Sequence, residues 1–402
     1  MRRRGMLAAP AALIAAAPAS AQQLVQGPLA APLEPLLEPI RAAHGLPALA
    51  AAVVRDGRIV AAGATGTRRA GASIPVTRED RFHLGSDTKA MTATLAATEV
   101  EAGRIGWETT LGSLFPDVAP MDGGLAGVTL VQFLSHASGL PPDDQSFVTL
   151  MLAAYSAGSD DSLNLDEMRL WMLREWAKRP LAAAPGTPWA YANMNYILAA
   201  CMIERVTRRT WEELVAERIF APLGLSSAGF GPQSSPGLVD APLPHFRRAD
   251  GSLKPMLAGP NADVPAPVGP AGNVHLSILD FAAWASWNAG EGRRGPAIIR
   301  PETLKLLHTP RIAIPPRPGD APGVPGEGGY AMGWGVVRQG YSTEPFVTHT
   351  GSNGMNRAVA YLQPALDFAM VLATNCSDAP ADEAHGQAAV ALYRRFGPAR
   401  SG

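Results

Sequence analysis

Net charge is nearly absent from this chain of 402 residues, which carries 34 lysine and arginine residues against 35 acidic ones. A protein that binds nucleic acid through its phosphates usually has a strongly basic surface, and no such excess exists here. The sequence therefore predicts no nucleic-acid partner and no partner recognised by bulk charge. With 47% hydrophobic and 17% charged residues, the composition is that of a globular protein with a sizeable core.

Long apolar runs are also missing, and because no stretch of 18 or more apolar residues follows the first 21, no membrane span is predicted. Those first residues have the three parts of a secretory signal peptide: a basic start, a mostly apolar segment from Met6 to Pro18, and an Ala-x-Ala pattern from Ala19 to Ala21. We expect cleavage of residues 1–21 near Ala21–Gln22 and a periplasmic or secreted mature protein. The export route stays open, and an uncleaved start in a cytosolic protein is the alternative.

Cysteine is scarce, and histidines lack metal-binding spacing. Cys201 and Cys376 lie among apolar residues, which favours buried free thiols, although an exported protein could pair them. The histidines show no H-x-x-x-H or H-x-H spacing, and two cysteines do not make a zinc site. No metal and no other cofactor is predicted.

Lysine is rare enough to draw attention to one position, because only Lys89 has a serine three residues before it. Ser86 and Lys89 stand where a run of helix formers begins. Positions i and i+3 share one face of a helix, so the Lys89 amine can lie near the Ser86 hydroxyl. A neighbouring amine can activate a serine nucleophile, but taken alone Ser-x-x-Lys also suits a solvated helix surface.

Two later clusters carry polar side chains from predicted loops or strand ends. Tyr191 and Asn193 follow a Pro/Gly-rich loop, and an ammonium such as Lys89 could bring a phenol of pKa about 10 into the range of a base. The segment from His349 to Ser352 ends a predicted strand and could hold a substrate carboxylate or carbonyl. The structural alternative for the first cluster is that Tyr191 is a half-buried aromatic residue and Asn193 a helix N-cap. The alternative for the second cluster is a simple turn.

Strand-like segments lie near both ends of the chain and helical ones lie between them. This order predicts an α/β (α+β) fold in which N- and C-terminal parts form one antiparallel sheet, flanked by helices, with a helical domain inserted between them. The expected boundaries are 22–108 plus 310–402 for the sheet domain and 109–309 for the inserted domain. We expect the segments Pro141 to Ser162 and Pro232 to Pro270 to be loops that shape the cleft.

Predicted elements follow from apolar periodicity and turn residues. The predicted strands are Ala48 to Val54, Arg58 to Ala62, Gly333 to Arg338, Phe346 to His349, Arg357 to Leu362 and Phe368 to Asn375. The predicted helices are Leu33 to Ala43, the Ser86 helix to about Gly103, Val128 to Ser135, Asp166 to Lys178, Asn195 to Thr207, Trp211 to Phe220, Ser277 to Trp287 and Asp382 to Phe396.

The three clusters occur once each and in a fixed order, and together they resemble the serine β-lactamase and penicillin-binding protein superfamily. The similar branch includes class C β-lactamases, D-alanyl-D-alanine carboxypeptidases and family VIII carboxylesterases. Leu134 to Pro141 resembles the loop after an early helix of the inserted domain, and Pro270 to Asn273 resembles a glycine-containing loop before a helix. The resemblance extends from about Leu33 to Phe396 and implies a β-lactamase/transpeptidase-like fold.

This resemblance implies a serine hydrolase that would cleave an amide or ester, and the predicted signal peptide implies that it would be secreted. Ser86 would form the acyl-enzyme, Lys89 would accept or relay its proton, and Tyr191 would act as base and help to activate the deacylating water. Which of Lys89 and Tyr191 takes the first proton stays open.

The same resemblance assigns residues that hold the substrate. Asn193 would hold the substrate amide, and the strand residues His349, Thr350 and Gly351 would line its other side. The backbone N–H groups of Ser86 and Ser352 would form the oxyanion hole.

His349 departs from the pattern, because class C β-lactamases usually carry lysine there. A mostly neutral histidine is a weaker anchor for a carboxylate, which puts efficient β-lactam hydrolysis in doubt. We expect turnover of carboxylate substrates to fall between about pH 6 and 7.5 as His349 loses its proton. A β-lactam, a D-Ala-D-Ala-type peptide and a small ester remain as substrates, and a non-catalytic protein that binds peptidoglycan or a partner is the alternative. Oligomeric state stays open.

Overall fold

The computed structural model describes residues 31–161, 164–259, 262–315 and 328–398. The predicted signal peptide, residues 1–21, lies outside these ranges. Among the described residues, no helix combines the length and apolar character needed to cross a membrane. Cys201 and Cys376 are buried and free, as predicted.

A nine-stranded sheet forms the centre of the fold. Its strands are β1 (Ala31–Pro32), β2 (Ala48–Arg55), β3 (Arg58–Gly66), β9 (Ile312–Ile314), β10 (Gly328–Tyr330), β11 (Gly335–Val337), β12 (Phe346–Ser352), β13 (Arg357–Gln363) and β14 (Phe368–Thr374). They lie in the order β1-β3-β2-β14-β13-β12-β11-β10-β9, and all neighbours are antiparallel except β1 and β3. Smaller sheets contain β4 (Arg81–His83), β5 (Gly229–Phe230) and β8 (Val274–Ser277), and the pair β6 (His245–Arg247) and β7 (Leu253–Pro255).

The helices before the centre of the chain are α1 (Glu34–Ala43), α2 (Thr88–Glu101), α3 (Leu111–Leu114), α4 (Gly123–Ala126), α5 (Leu130–Leu134), α6 (Gln145–Asp161), α7 (Leu165–Trp176) and α8 (Asn193–Thr207). Those that follow are α9 (Trp211–Val215), α10 (Ala221–Leu223), α11 (Gly269–Gly272), α12 (Ile278–Ala289), α13 (Pro301–Leu307) and α14 (Ala379–Phe396). A π-helical stretch, Ala216–Phe220, joins α9 to α10.

The sheet joins the two ends of the chain because β2 pairs with β14, with Ala51 opposite Leu372. Alternate residues of β2 pack into two different cores, as a strand covered on both faces requires. Leu49 and Val53 face α1 and α14, whereas Ala50 faces the core that contains α2 and α12. The predicted antiparallel sheet built from both ends, with flanking helices, is therefore confirmed. The domain boundaries near residues 108 and 310 stay predictions.

One segment expected to be a loop, Pro141 to Ser162, contains α6 instead. Asp144 caps this helix by accepting a hydrogen bond from the Phe147 backbone N–H at 3.0 Å. Phe147, Leu150 and Ala154 are buried along one face. An N-cap followed by apolar residues at i, i+3 and i+7 is the signal that the preceding prolines obscured.

A second difference lies around Pro270 to Asn273, where a glycine-containing loop before a helix was expected. Pro270 to Gly272 lie in α11, Asn273 follows it, and strand β8 comes before α12 begins at Ile278. β8 pairs with β4 immediately before the Ser86 turn. The strand is only four residues long, so its pairing with a segment far away in sequence decides its structure more than local pattern does.

A buried ion cluster joins the helices α7, α8 and α9. The Arg169 side chain of α7 is fully buried, and its guanidinium lies 2.5 Å from Glu204 of α8 and 2.8 Å from Glu212 of α9. Removing one partner of such a cluster leaves uncompensated charge in a region of low dielectric.

Arg169→Ala is therefore expected to lower the free energy of unfolding by about 3 to 5 kcal/mol, since Glu204 would stay buried without its cation. Urea unfolding followed by circular dichroism measures the change. Arg174→Ala, on the exposed side of the same helix, is the control and should alter stability by less than about 0.5 kcal/mol. Equal midpoints for the two variants would contradict the assigned role.

Candidate active site

The first predicted pair is formed in the structure. Ser86 lies in a 3₁₀ turn, Gly85–Asp87, between β4 and α2. The Lys89 side chain, in the first turn of α2, is fully buried, and its Nζ lies 3.1 Å from Ser86 Oγ. The same amine donates to Asn193 Oδ1 at 2.6 Å and to the Ala271 carbonyl oxygen at 2.7 Å. The lysine is therefore an interior residue held by three polar contacts.

Tyr191 joins this pair from the loop before α8. Its hydroxyl donates to Ser86 Oγ at 2.7 Å, and Lys89 Nζ lies 4.8 Å from the centre of its ring. Three residues from two distant clusters thus meet at one hydroxyl oxygen. This convergence is the geometry that activation of a serine requires.

Burial acts on the two candidate bases in opposite directions. It lowers the pKa of Lys89 to about 7, against the opposing effect of the Asp143 and Asp87 carboxylates. It raises the pKa of Tyr191 well above its usual range. The idea that Lys89 brings the Tyr191 phenol into the range of a base is therefore wrong, because desolvation of the phenolate outweighs the hydrogen bond with Ser86 and the Asp143 and Asp87 carboxylates raise the pKa further. Near neutral pH the uncharged amine of Lys89 is available and the phenolate is not.

Asn193 is the first residue of α8, and both ends of its side chain are engaged. Its Oδ1 accepts from Lys89, while its Nδ2 donates to Asp143 Oδ2 at 2.6 Å. Its backbone N–H also donates to Asp143 Oδ1, at 2.9 Å. Since an amide nitrogen carries two hydrogens, one donor remains for a substrate carbonyl, as the predicted role requires. Asp143 was not among the predicted site residues, because its only local signal is its place beside the cap of α6.

Two glycines bring the nucleophile turn against β12. Gly85 has a φ of +52°, and a Cβ at this position would clash with the backbone nitrogen of Ser352. A Cβ at Gly351 would clash with the Leu84 carbonyl oxygen and lie 2.7 Å from the Ser86 nitrogen. The backbone amides of Ser86 and Ser352 therefore lie beside the same close contact. The Ser352 hydroxyl itself lies 2.7 Å from the Ser377 hydroxyl.

His349 is placed near the other clusters, but it is neither exposed nor charged. Its Nδ1 donates to the Thr350 carbonyl oxygen at 3.0 Å, so its Nε2 accepts from the Tyr330 hydroxyl at 3.0 Å. Burial lowers the pKa of His349 to about 3. The expected titration between pH 6 and 7.5 is therefore wrong, because the ring is buried and its Nε2 is engaged by Tyr330 of β10. Thr350, in contrast, is exposed on β12.

Aromatic side chains support Tyr191 from behind. The buried ring of His136, in the segment Leu134 to Pro141, lies 4.4 Å from the Tyr191 ring and 4.9 Å from the Tyr330 ring, measured between centres. Its Nδ1 lies 3.0 Å from Asn195 Nδ2. Burial holds the pKa of His136 well below its usual value, so the ring packs as a neutral group.

No group of three or more histidine, cysteine or acidic side chains within the described ranges is arranged to hold a metal ion. The geometry around Ser86 instead consists of a hydroxyl, an amine, a phenol and two backbone amides.

Comparison with known proteins agrees with this geometry. The family model described as Beta-lactamase matches residues 33–395. The chain is 25% identical to penicillin-binding protein 4 of Amycolatopsis lactamdurans, over 68% of this chain and 66% of that protein. It is 28% identical to the esterase EstB of Burkholderia gladioli, over 65% of this chain and 66% of that protein.

A solved structure supports the fold. The octameric penicillin-binding protein homologue from Pyrococcus abyssi superposes with a TM-score of 0.73 at 24% identity, covering 91% of this chain and 77% of that one. Matches to the curated relatives span between about half and two thirds of their length. The family match over residues 33–395 leads to one conclusion: the chain belongs to the Beta-lactamase family.

Proposed function

We propose that this protein hydrolyses an ester or amide by transferring the acyl group to Ser86 and then to water. The observation that carries the proposal is the position of Ser86 Oγ, 3.1 Å from the Lys89 amine and 2.7 Å from the Tyr191 hydroxyl. A nucleophile between a base of suitable pKa and a neutral donor can both lose a proton and return one to a leaving group.

Acylation begins when the uncharged Lys89 amine takes the proton of Ser86 and Oγ attacks the substrate carbonyl. The carbonyl oxygen gains negative charge beside the Ser86 and Ser352 amides, which donate to it. The bond to the leaving group then breaks, and Tyr191 supplies the proton that the leaving group needs. Lys89 returns the proton it took to Tyr191, so both residues recover their starting forms. Water attacks the Ser86 ester by the same steps in reverse.

Electrostatics favours a neutral substrate. The neutral His349 offers no cation to a substrate carboxylate, and the Asp143 carboxylate beside Asn193 would repel one. Small esters and uncharged amides avoid both problems, whereas β-lactams and peptides with a free carboxylate do not. We therefore propose a small ester or neutral amide as the preferred substrate class. We also propose export of the mature protein, which the signal-like residues 1–21 support.

Covalent labelling tests the acyl-enzyme. A fluorophosphonate probe should label the wild-type protein and Ser113→Ala, an exposed control, but leave Ser86→Ala unlabelled. Hydrolysis of a short-chain nitrophenyl ester should exceed that of a chromogenic cephalosporin and of a D-Ala-D-Ala peptide. If neither the fluorophosphonate nor a fluorescent penicillin gives a Ser86-dependent adduct, the chain is a binding protein and the proposal fails.

The pH profile tests the identity of the base. Because Lys89 must be uncharged to accept a proton, kcat/KM for the nitrophenyl ester should rise with pH through an apparent pKa of about 7. Asp143 stabilises the ammonium form, so Asp143→Asn should lower that pKa and shift the acid limb to lower pH.

The control for the pH profile is Asp144→Asn, which keeps a side chain able to cap α6 and should leave the limb in place. An acid limb that stays fixed or moves to higher pH in Asp143→Asn would contradict the assignment of Lys89 as base.

A further inference from the structure

A buried histidine lies immediately before the nucleophile turn and is not part of the proton chemistry described above. His83 ends β4, and its side chain is completely buried. Its Nδ1 accepts a hydrogen bond from the Gly85 backbone N–H at 3.0 Å. A backbone N–H can only donate, so Nδ1 carries no proton, and Nε2 donates to the Asp263 carboxylate at 2.9 to 3.0 Å. These contacts fix the tautomer and orientation of the ring.

Asp263 connects this histidine to the opposite wall of the site. Its side chain is 4% exposed, and Oδ1 accepts from Asn353 Nδ2 at 3.0 Å. Asn353 follows Ser352 directly, in the connection between β12 and β13. Its own Oδ1 accepts from the backbone N–H groups of Met355 and Asn356, at 3.2 and 3.0 Å. The asparagine thereby shapes the turn while it is tied to Asp263.

The two ends of this chain of hydrogen bonds lie next to the Ser86 and Ser352 backbone amides, which donate to the substrate oxygen in the proposed reaction. His83 holds Gly85, the residue before Ser86, and Asn353 is the residue after Ser352. Between these ends, Gly85 and Ser352 are already in close backbone contact. Donors that stabilise a developing oxyanion must be fixed before the reaction, because reorganisation during the reaction costs free energy.

We propose that His83, Asp263 and Asn353 are positioning residues that hold the Ser86 and Ser352 amides in register for the oxyanion. This inference rests on the proposed acyl transfer at Ser86 and deepens it. The three side chains act through the backbone and do not touch the substrate. Their removal should therefore change the rate of the chemical step more than the binding of the substrate.

Two substitutions at His83 separate its two hydrogen bonds. In His83→Gln the amide nitrogen can reach Asp263 but no acceptor remains for Gly85, whereas His83→Asn keeps an acceptor near Gly85 and gives up Asp263. Losing one oxyanion donor costs about 100- to 1,000-fold in kcat, so displacing donors through His83→Gln should cost about 10- to 100-fold. His83→Asn and Asn353→Ala should each cost about 10-fold, with KM for the nitrophenyl ester changed less than about 3-fold.

Affinity for a phenylboronic acid gives a second measure. The boronate forms a tetrahedral adduct with Ser86 and places an oxygen where the oxyanion develops, so its affinity should fall in parallel with kcat. The control is His275→Gln, which removes a buried imidazole directly across the β4–β8 pair, where its Nδ1 lies 3.0 Å from the Gly231 carbonyl oxygen. This variant should lose stability but keep kcat and boronate affinity within about 3-fold.

Wild-type kcat and boronate affinity in His83→Gln would overturn the inference, and so would equal losses in His83→Gln and His275→Gln. If the His83 variants do not fold, Asn353→Ala at the far end of the network decides the question by the same two measurements. Failure of the proposed function gives a different result, because the wild-type protein would then show no Ser86-dependent labelling.

Discussion

The burial of Lys89 is the constraint on which the site depends. A fully buried ammonium is costly, and the structure reduces that cost by surrounding the amine with the Ser86 hydroxyl, the Asn193 amide oxygen and the Ala271 carbonyl. These partners come from the nucleophile turn, the start of α8 and the end of α11. The lysine therefore reaches its environment only when α8 and α11 have packed against α2. Desolvation lowers its pKa towards neutrality, which gives the amine the proton affinity that the proposed base requires.

Close backbone contact is the second requirement, and glycine provides it. The turn that carries Ser86 touches β12 at Gly85 and Gly351, where no side chain fits. This contact brings the Ser86 and Ser352 amides to its two sides, and in the proposed reaction both donate to the substrate oxygen. The hydrogen bonds from His83 through Asp263 to Asn353 span the same contact from behind. Side chains that never reach the substrate can thus determine how well the backbone stabilises charge.

Motif spacing predicted the residues that meet at Ser86, since Lys89 and Tyr191 both contact its oxygen. The antiparallel sheet was also predictable, because its long strands alternate or are fully buried. The charge states of the site residues could not be predicted from the sequence, because they depend on contacts between residues that are far apart in the chain. Tyr330 covers His349 from another strand, and Asp143 reaches Asn193 across 50 positions of sequence. Among the features that were not predicted, only α6 had a local signal in the sequence. This signal is the Asp144 N-cap followed by apolar residues that are buried along one face of the helix.

The neutral state of His349 also affects the base. A second ammonium in its place would lie near Lys89 and disfavour protonation of that amine by like-charge repulsion. The repulsion also acts from Lys89 on His349, because the Lys89 charge helps to lower the pKa of His349. With the histidine neutral, desolvation and the carboxylates of Asp143 and Asp87 set the proton affinity of Lys89. The site therefore has no fixed cation at this position to bind an anionic substrate, and the pKa of Lys89 stays near 7. Both properties are consistent with acyl transfer from uncharged esters or amides.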